Sequence, residues 1–172
     1  MIDIKKRNFN MEMEIIMIKV MFVCLGNICR SPMAEFVLKD MVKKQGLEKE
    51  FYIKSSATSS EEIGNDIHYG TRDKLIQNGI SFTKRKAVKL RAEDYKKYDY
   101  IIGMEKSNII NIQRIVGKDI DNKVYRLLDF SNNPRDIADP WYTGNFEVTF
   151  NDIVEGCNGF LKCLKDKNII DK

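Results

Sequence analysis

The feature that most constrains the fold is a regular alternation of short apolar runs with segments of helical periodicity. Strand patterns occur at residues 18–24, 51–57, 98–104 and 124–128, and the first and third of them are largely apolar, as is typical of buried strands. Helical patterns follow at residues 32–45, 68–77, 107–116 and 146–165. Strands that alternate with helices form parallel βαβ units. We therefore predict a three-layer α/β fold, in which a four-stranded parallel sheet carries helices on both faces.

The 172 residues are enough for one domain with a substantial core. We expect residues 1–16 to be a polar leader and residues 17–172 to be a single domain. The leader and the first strand together look superficially like a signal peptide, but Glu12, Glu14 and Lys19 interrupt the apolar stretch and no small-residue cleavage site follows. The stretch is also too short and too charged to span a bilayer. A cytoplasmic protein is expected.

Charge and cysteine content narrow the function classes. The net charge of +4 is mild and spread along the chain, so we expect neither a nucleic-acid nor a membrane partner. The chain has four cysteines. In the cytoplasm a special cysteine is more often catalytic than structural. A zinc site would need Cys157 and Cys163 together, but positions i and i+6 lie on different helix faces. No metal or other cofactor is predicted.

The first predicted strand runs directly into a loop that ends at a predicted helix start. Its sequence is Val-Cys-Leu-Gly-Asn-Ile-Cys-Arg-Ser-Pro, residues 23–32. We expect Gly26 to permit an unusual backbone conformation, and Ser31 and Pro32 to be the N-cap and the first residue of the helix. Ligands of parallel sheets bind at the carboxyl ends of strands. The loop is therefore the predicted site.

The residue types of this loop suit an anion. Successive backbone N–H groups can point inward as an anion-binding nest, and the helix N-terminus adds partial positive charge. The planar Arg30 guanidinium matches two phosphate oxygens. The same positive field stabilises a Cys24 thiolate. We expect the Ser31 hydroxyl to donate a hydrogen bond to this thiolate, and the Asn27 side chain to hold the loop through hydrogen bonds. The predicted phosphate-binding residues beside Cys24 and Arg30 are Leu25, Gly26, Asn27, Ile28, Cys29 and Ser31.

Residues 23–35, which read Val-Cys-Leu-Gly-Asn-Ile-Cys-Arg-Ser-Pro-Met-Ala-Glu, resemble the low-molecular-weight protein tyrosine phosphatases. The resemblance covers residues 17–166. It implies a flavodoxin-like fold and a two-step, metal-free mechanism. In that mechanism Cys24 is the nucleophile, Arg30 binds phosphate, and Asp139 is the general acid and then the base. The implied partner is a phosphotyrosine protein or an aryl phosphate, and phosphate-like oxyanions are expected to inhibit.

The resemblance also implies the pocket walls. Trp141 and Tyr142 would flank the substrate ring, although packing of their loop onto the core is an alternative for Tyr142. Glu61 stands where many relatives have an aromatic wall, which leaves the substrate preference open. Cys29 is either a small loop filler or a partner for a reversible disulfide with Cys24. We expect His68, the single histidine of the chain, to lie on the surface.

Three other functions use the same fold or loop. An arsenate reductase would need further cysteines, but none lies between residues 30 and 156. A protein-arginine phosphatase tends to carry Thr where this chain has Ile28. A non-catalytic phosphate sensor is disfavoured because every expected catalytic position is intact. The leading hypothesis is a protein tyrosine phosphatase.

Overall fold

The computed structural model describes residues 16–171, so the expected polar leader lies outside the described residues apart from Ile16. Within this range four strands pair in parallel in the order β2-β1-β3-β4. They are β1 (Ile18–Cys24), β2 (Phe51–Ala57), β3 (Tyr100–Gly103) and β4 (Val124–Arg126). The predicted four-stranded parallel sheet is confirmed, and β1 occupies a central position in it.

Six α-helices surround the sheet within the described range, and two short 3₁₀ turns accompany them at Glu48–Glu50 and Leu127–Phe130. The helices are α1 (Arg30–Lys44), α2 (Tyr69–Gln77), α3 (Asp94–Lys97), α4 (Lys106–Val116), α5 (Pro140–Thr143) and α6 (Phe146–Asp166). No helix among residues 16–171 has the length and apolar character needed to cross a bilayer.

Each face of the sheet carries its own hydrophobic cluster. Side chains of β1 alternate between them: Val20 and Phe22 pack with α1, α2 and α6, whereas Met21 and Val23 pack with α4 and the segment before β3. A strand covered on both faces is apolar at every position rather than at every second one. This explains why β1 is apolar at every position from Val20 to Cys24, and it confirms the three-layer arrangement.

Two predicted strands prove shorter than expected. Tyr98 precedes β3 because it terminates α3, where its backbone N–H donates to Asp94 O at 3.1 Å. At the end of β4 the chain turns at Leu127 into a 3₁₀ helix, which places Leu127 and Leu128 in the core without strand pairing. Apolar character marked these residues as buried but did not distinguish strand from turn.

The predicted start of the first helix is wrong. Helix α1 begins at Arg30, its N-cap is Cys29, and no side chain caps it. Ser31 is not the cap because its hydroxyl is engaged with Cys24 Sγ and the Asn27 side chain. Pro32 lies within the first turn, where a missing N–H costs nothing since those N–H groups have no intrahelical partner. The helix N-terminus therefore reaches further into the loop than expected.

Candidate active site

The segment from Cys24 to Ser31, called the Cys24 loop below, forms the floor of a pocket of about 110 Å³ at the carboxyl end of β1. Two separate segments supply its walls, namely the loop after β2 and the segment around α5. The lining residues are Cys24, Leu25, Gly26, Ile28, Cys29, Arg30, Ser59, Glu61, Glu62, Asp139, Trp141 and Tyr142. The structure thus brings together the sequence-predicted nucleophile, cation, acid and pocket walls.

Cys24 is buried at the end of β1, and two hydrogen-bond donors approach its sulfur. The Asn27 backbone N–H donates to Cys24 Sγ at 3.3 Å, and Ser31 Oγ lies 3.0 Å from it. Asn27 Nδ2 donates to Ser31 Oγ at 2.8 Å, and the single hydroxyl proton of Ser31 has two acceptors within reach, Cys24 Sγ at 3.0 Å and the Ser56 carbonyl at 3.4 Å. This arrangement stabilises a negative sulfur, as a nucleophilic or departing thiolate requires.

Asn27, rather than Gly26, adopts the unusual backbone conformation, with a φ of 57°. Asparagine tolerates this left-handed region better than most residues do. Its side chain secures the turn: Nδ2 also donates to Ser55 Oγ at 2.9 Å, and Oδ1 accepts from Val88 N at 3.1 Å. The role expected of Gly26 is therefore wrong. Its lack of a side chain matters for space, because a Cβ there would lie 3.3 Å from Glu62 Cγ.

Arg30 is buried, and two carboxylates hold its guanidinium. Nη1 donates to Glu105 Oε2 at 2.7 Å and to the Ile137 carbonyl at 2.9 Å, while Nη2 donates to Asp139 Oδ2 at 3.2 Å. A buried cation needs such partners. Sequence reasoning missed Glu105, although a signal existed: it closely follows β3, the neighbour of β1, and the ends of neighbouring parallel strands meet at one edge.

Asp139 is held at the pocket by both of its carboxylate oxygens. It is the N-cap of α5, where Oδ1 accepts from Trp141 N at 3.0 Å, and Oδ2 faces Arg30. Its backbone is extended, with φ −76° and ψ 114°, as expected for a residue before proline. The side chain is 17% exposed, so it reaches the pocket without being surrounded by water.

Cys29 shares the loop with Cys24 but lies in a different environment. Burial raises the pKa of the Cys29 thiol from 9.0 to about 12, and the nearby charges of Cys24 and Asp139 add to this effect. A thiol with such a pKa stays protonated at neutral pH and is a poor nucleophile. Of the two loop cysteines, only Cys24 has donors directed at its sulfur in the described hydrogen bonds.

The outer walls combine aromatic and acidic side chains. Trp141 and Tyr142 are 57% and 77% exposed, so Tyr142 does not serve the core-packing role that was its alternative. Glu61 lines the pocket as predicted. Glu62, which sequence reasoning missed, lines it too and accepts from Asn65 Nδ2 at 2.6 Å. The rim is therefore acidic on one side and aromatic on the other.

The Arg85 side chain supports the Cys24 loop from outside the pocket. Arg85 donates to the Asn27 carbonyl and, at 3.2 Å, to the Asn65 carbonyl. Burial lowers the pKa of Arg85. His68, expected on the surface, is half-buried at the start of α2, so its ring is only partly exposed. Among residues 16–171 no group of three or more histidine, cysteine or acidic side chains is placed to hold a metal.

Most of the sequence is similar to proteins of known description. A sequence profile described as low molecular weight phosphotyrosine protein phosphatase matches residues 19–169. The low molecular weight protein-tyrosine-phosphatase YfkJ of Bacillus subtilis is 40% identical over 156 residues, which are 89% of this chain and 100% of YfkJ. PtpA of Staphylococcus aureus strain MRSA252, of the same description, is 36% identical over 155 residues, 89% of this chain and 98% of its own.

Solved structures give the same result at the level of the fold. The crystal structure of YfkJ superposes with a TM-score of 0.84 and covers 88% of this chain and 96% of its own. The low molecular weight protein tyrosine phosphatase SP-PTP of Streptococcus pyogenes is 39% identical, with a TM-score of 0.79 and coverages of 89% and 97%. The similarity therefore extends over nearly all of the described residues.

Proposed function

Since the chain belongs to the low molecular weight phosphotyrosine protein phosphatase family, we propose that it hydrolyses phosphotyrosine and other aryl phosphate monoesters through a phosphorylated Cys24. The chain is a phosphoric monoester hydrolase of the protein-tyrosine-phosphatase class. One observation carries the assignment of roles: a buried sulfur with two donors, a buried guanidinium and a carboxylate all border a pocket of about 110 Å³.

In the first step the Cys24 sulfur forms a bond to phosphorus while the bond to the aryl oxygen breaks. The Asp139 carboxyl gives its proton to that oxygen, so the phenol leaves neutral. The incoming phosphoryl group competes with Asp139 for Arg30 Nη2, which frees a carboxyl oxygen to carry the proton. Arg30 and the N–H groups of the Cys24 loop stabilise the charge on the phosphoryl oxygens.

In the second step the Asp139 carboxylate takes a proton from water. The water oxygen bonds to phosphorus as the sulfur–phosphorus bond breaks, which releases inorganic phosphate and returns the thiolate. The Ser31 hydroxyl, 3.0 Å from Cys24 Sγ, stabilises the departing sulfur. Glu105 takes no part in either bond change and holds Arg30 in place through its 2.7 Å contact.

The test is steady-state hydrolysis of p-nitrophenyl phosphate across pH with EDTA present. We expect activity that EDTA leaves unchanged, a bell-shaped pH profile, and a loss of about 1000-fold or more in Cys24→Ser. Inorganic phosphate should still bind this variant, because the loop donors remain. Cys163→Ser, at a half-buried cysteine far along α6, is the matched control and should retain full activity. Substantial turnover by Cys24→Ser would show that another group is the nucleophile.

Three finer points belong to the same proposal. Phosphate-like oxyanions should inhibit competitively, since they would occupy the Cys24 loop. The physiological partner is proposed to be a phosphotyrosine protein, in line with the description of the relatives. A cytoplasmic location is proposed because a reducing compartment keeps Cys24 active. The alternatives of arsenate reduction, arginine dephosphorylation and phosphate sensing are not favoured, since these relatives are described as tyrosine phosphatases.

A further inference from the structure

The start of α2 is attached to the back of the Cys24 loop by two hydrogen bonds. The His68 backbone N–H donates to the Ile28 carbonyl at 2.9 Å, and Thr71 Oγ1 donates to the Cys29 carbonyl at 3.0 Å. Both acceptors belong to peptide units of the loop that lines the pocket floor. The position of His68 relative to the loop is therefore set by contacts that do not depend on its side chain.

The imidazole ring of His68 is itself held in one orientation. Its Nδ1 accepts a hydrogen bond from the Gly70 backbone N–H at 3.0 Å, which makes the ring the N-terminal cap of α2. An accepting Nδ1 places the ring proton on Nε2. The ring stacks on Phe146, with centroids 5.1 Å apart and planes 12° from parallel.

The same ring contacts the acid segment, defined as residues 139–142. The Trp141 ring meets the His68 ring edge-to-face, with centroids 5.7 Å apart and an interplanar angle of 76°. Phe146, on the other side of the segment, is the first residue of α6. Gly70 allows this packing, because a Cβ there would lie 2.5 Å from the Phe146 ring. The His68 ring thus packs against Trp141 in the acid segment and against Phe146 just beyond it, while the His68 backbone is bonded to the Cys24 loop.

Trp141 links this ring to the proposed acid. Its backbone N–H donates to Asp139 Oδ1 at 3.0 Å, and this bond turns the other oxygen, Oδ2, toward Arg30 and the pocket. A displacement of Trp141 would therefore rotate the carboxyl group. Proton transfer to a leaving oxygen requires close alignment, and a misplacement of about 1 Å can cost about 100-fold in rate.

We infer that His68 is a positioning residue for the general acid: its ring, held against the Cys24 loop through α2, sets where Trp141 lies and thereby where the Asp139 carboxyl points. The inference rests on the proposed function for the role of Asp139. Its physical basis is separate, because the ring contacts and the two backbone bonds exist whatever the reaction is. His68 makes no described hydrogen bond to a pocket residue through its side chain, so it acts through Trp141.

The kinetic test compares a good and a poor leaving group. His68→Asn keeps an acceptor for the Gly70 N–H, since asparagine is a favoured cap, and removes the ring. For this variant kcat/KM should fall by about tenfold or more for phenyl phosphate but much less for p-nitrophenyl phosphate, whose leaving group needs less protonation. The inhibition constant of inorganic phosphate should stay unchanged, because the Cys24 loop is intact.

Two further variants separate positioning from simple destabilisation. His68→Phe retains a ring that can pack against Phe146 and Trp141 but loses the cap of α2. Its ratio of kcat/KM for the two substrates should therefore match the wild type even if its melting temperature falls. Tyr69→Ala removes an exposed ring whose centroid lies 4.3 Å from that of His68. It should leave the ratio of the two kcat/KM values unchanged. In an Asp139→Asn background, His68→Asn should cause almost no further loss of kcat/KM for phenyl phosphate, because the carboxyl group that His68 positions is absent.

An activity-independent measurement completes the test. Trp141 is the only tryptophan of the chain, so its fluorescence reports its own surroundings. Acrylamide should quench it more strongly in His68→Asn than in the wild type, while Tyr69→Ala should match the wild type. Equal losses for both substrates, a full further loss in the Asp139→Asn background, or unchanged quenching would each overturn the inference. If the wild type hydrolysed neither aryl phosphate, the proposed function would fail, and the quenching comparison would still decide whether His68 positions Trp141.

Discussion

Cys24 and Cys29 lie in one loop, yet their surroundings give the two sulfurs different chemistry. Both are buried, but the Asn27 N–H and the Ser31 hydroxyl lie against the Cys24 sulfur, whereas Cys29 has no described donor and its pKa is raised to about 12. Residue type and spacing alone do not distinguish the two. The difference arises from which sulfur receives hydrogen bonds and which one only loses water.

This difference predicts selective alkylation. At neutral pH, iodoacetamide should modify Cys24 well before Cys29, because the thiolate is the reactive form and Cys29 remains protonated. Inorganic phosphate should protect Cys24 by occupying the loop. Peptide mass spectrometry over a time course measures both rates, with the half-buried Cys163 as an internal reference. Equal labelling of the two loop cysteines would contradict the assignment.

At the scale of elements, helix α6 packs against the turn Leu127–Phe130 through two glycines. A Cβ at Gly156 would lie 2.4 Å from Leu127 Cγ, and one at Gly159 would lie 2.2 Å from the Phe130 carbonyl oxygen. Glycine is usually unfavourable inside a helix, by about 1 kcal/mol relative to alanine. Here the close approach of the turn requires glycine at both positions. The chain then continues from this turn toward Ile137 and Asp139.

Gly159→Ala should therefore destabilise the protein despite the better helix propensity of alanine. The new methyl group would collide with the Phe130 carbonyl oxygen. This oxygen belongs to the backbone and cannot rotate away as a side chain could, so the helix itself must shift. We expect a loss of about 2 kcal/mol in the free energy of unfolding. Urea unfolding would measure it as a lower midpoint with an unchanged m-value. Asn158→Ala, at the exposed neighbouring position, is the control and should be neutral or slightly stabilising. A Gly159→Ala variant as stable as the wild type would refute the close contact.

At the scale of the whole molecule, buried thiols make the free energy of unfolding depend on pH in the alkaline range. Burial raises the pKa of Cys29 from 9.0 to about 12 and also raises the pKa of Cys157, which lies in the core. Above pH 9 the unfolded chain releases these protons while the folded chain retains them. The unfolded state then binds fewer protons, so the free energy of unfolding falls as pH rises.

We expect this decline to begin near pH 9 and, for Cys29, to continue to about pH 12. Each retained proton contributes a slope of about 1.4 kcal/mol per pH unit. Urea unfolding at several pH values between about 8 and 10.5 would measure the slope. Cys29→Ser should make it shallower, whereas Cys163→Ser should leave it as in the wild type. A slope unaffected by Cys29→Ser would mean that this thiol does not retain its proton in the folded state.

Much of the fold followed from local signals. The strand patterns at residues 18–24 and 51–57 became strands with those bounds, and the first is almost wholly apolar because β1 is central and covered on both faces. The strand–loop–helix pattern likewise located the pocket floor, and the string around Cys24 carried the family resemblance that the comparisons bore out. These features depend on residues that are neighbours in the chain, so the sequence was enough to determine them.

The remaining features depend on partners far apart in the chain, and only the tertiary structure decided them. Arg30 finds Glu105 and the Ile137 carbonyl because β1 and β3 are neighbours and their ends meet at one edge. The His68 ring reaches Trp141 because α2 and α6 pack together beside the Cys24 loop. Ser31 donates no cap to α1 because Cys24 and Asn27 engage its hydroxyl in three dimensions. Periodicity and local propensity record which residues are buried, whereas sheet order and helix packing determine which buried groups face one another.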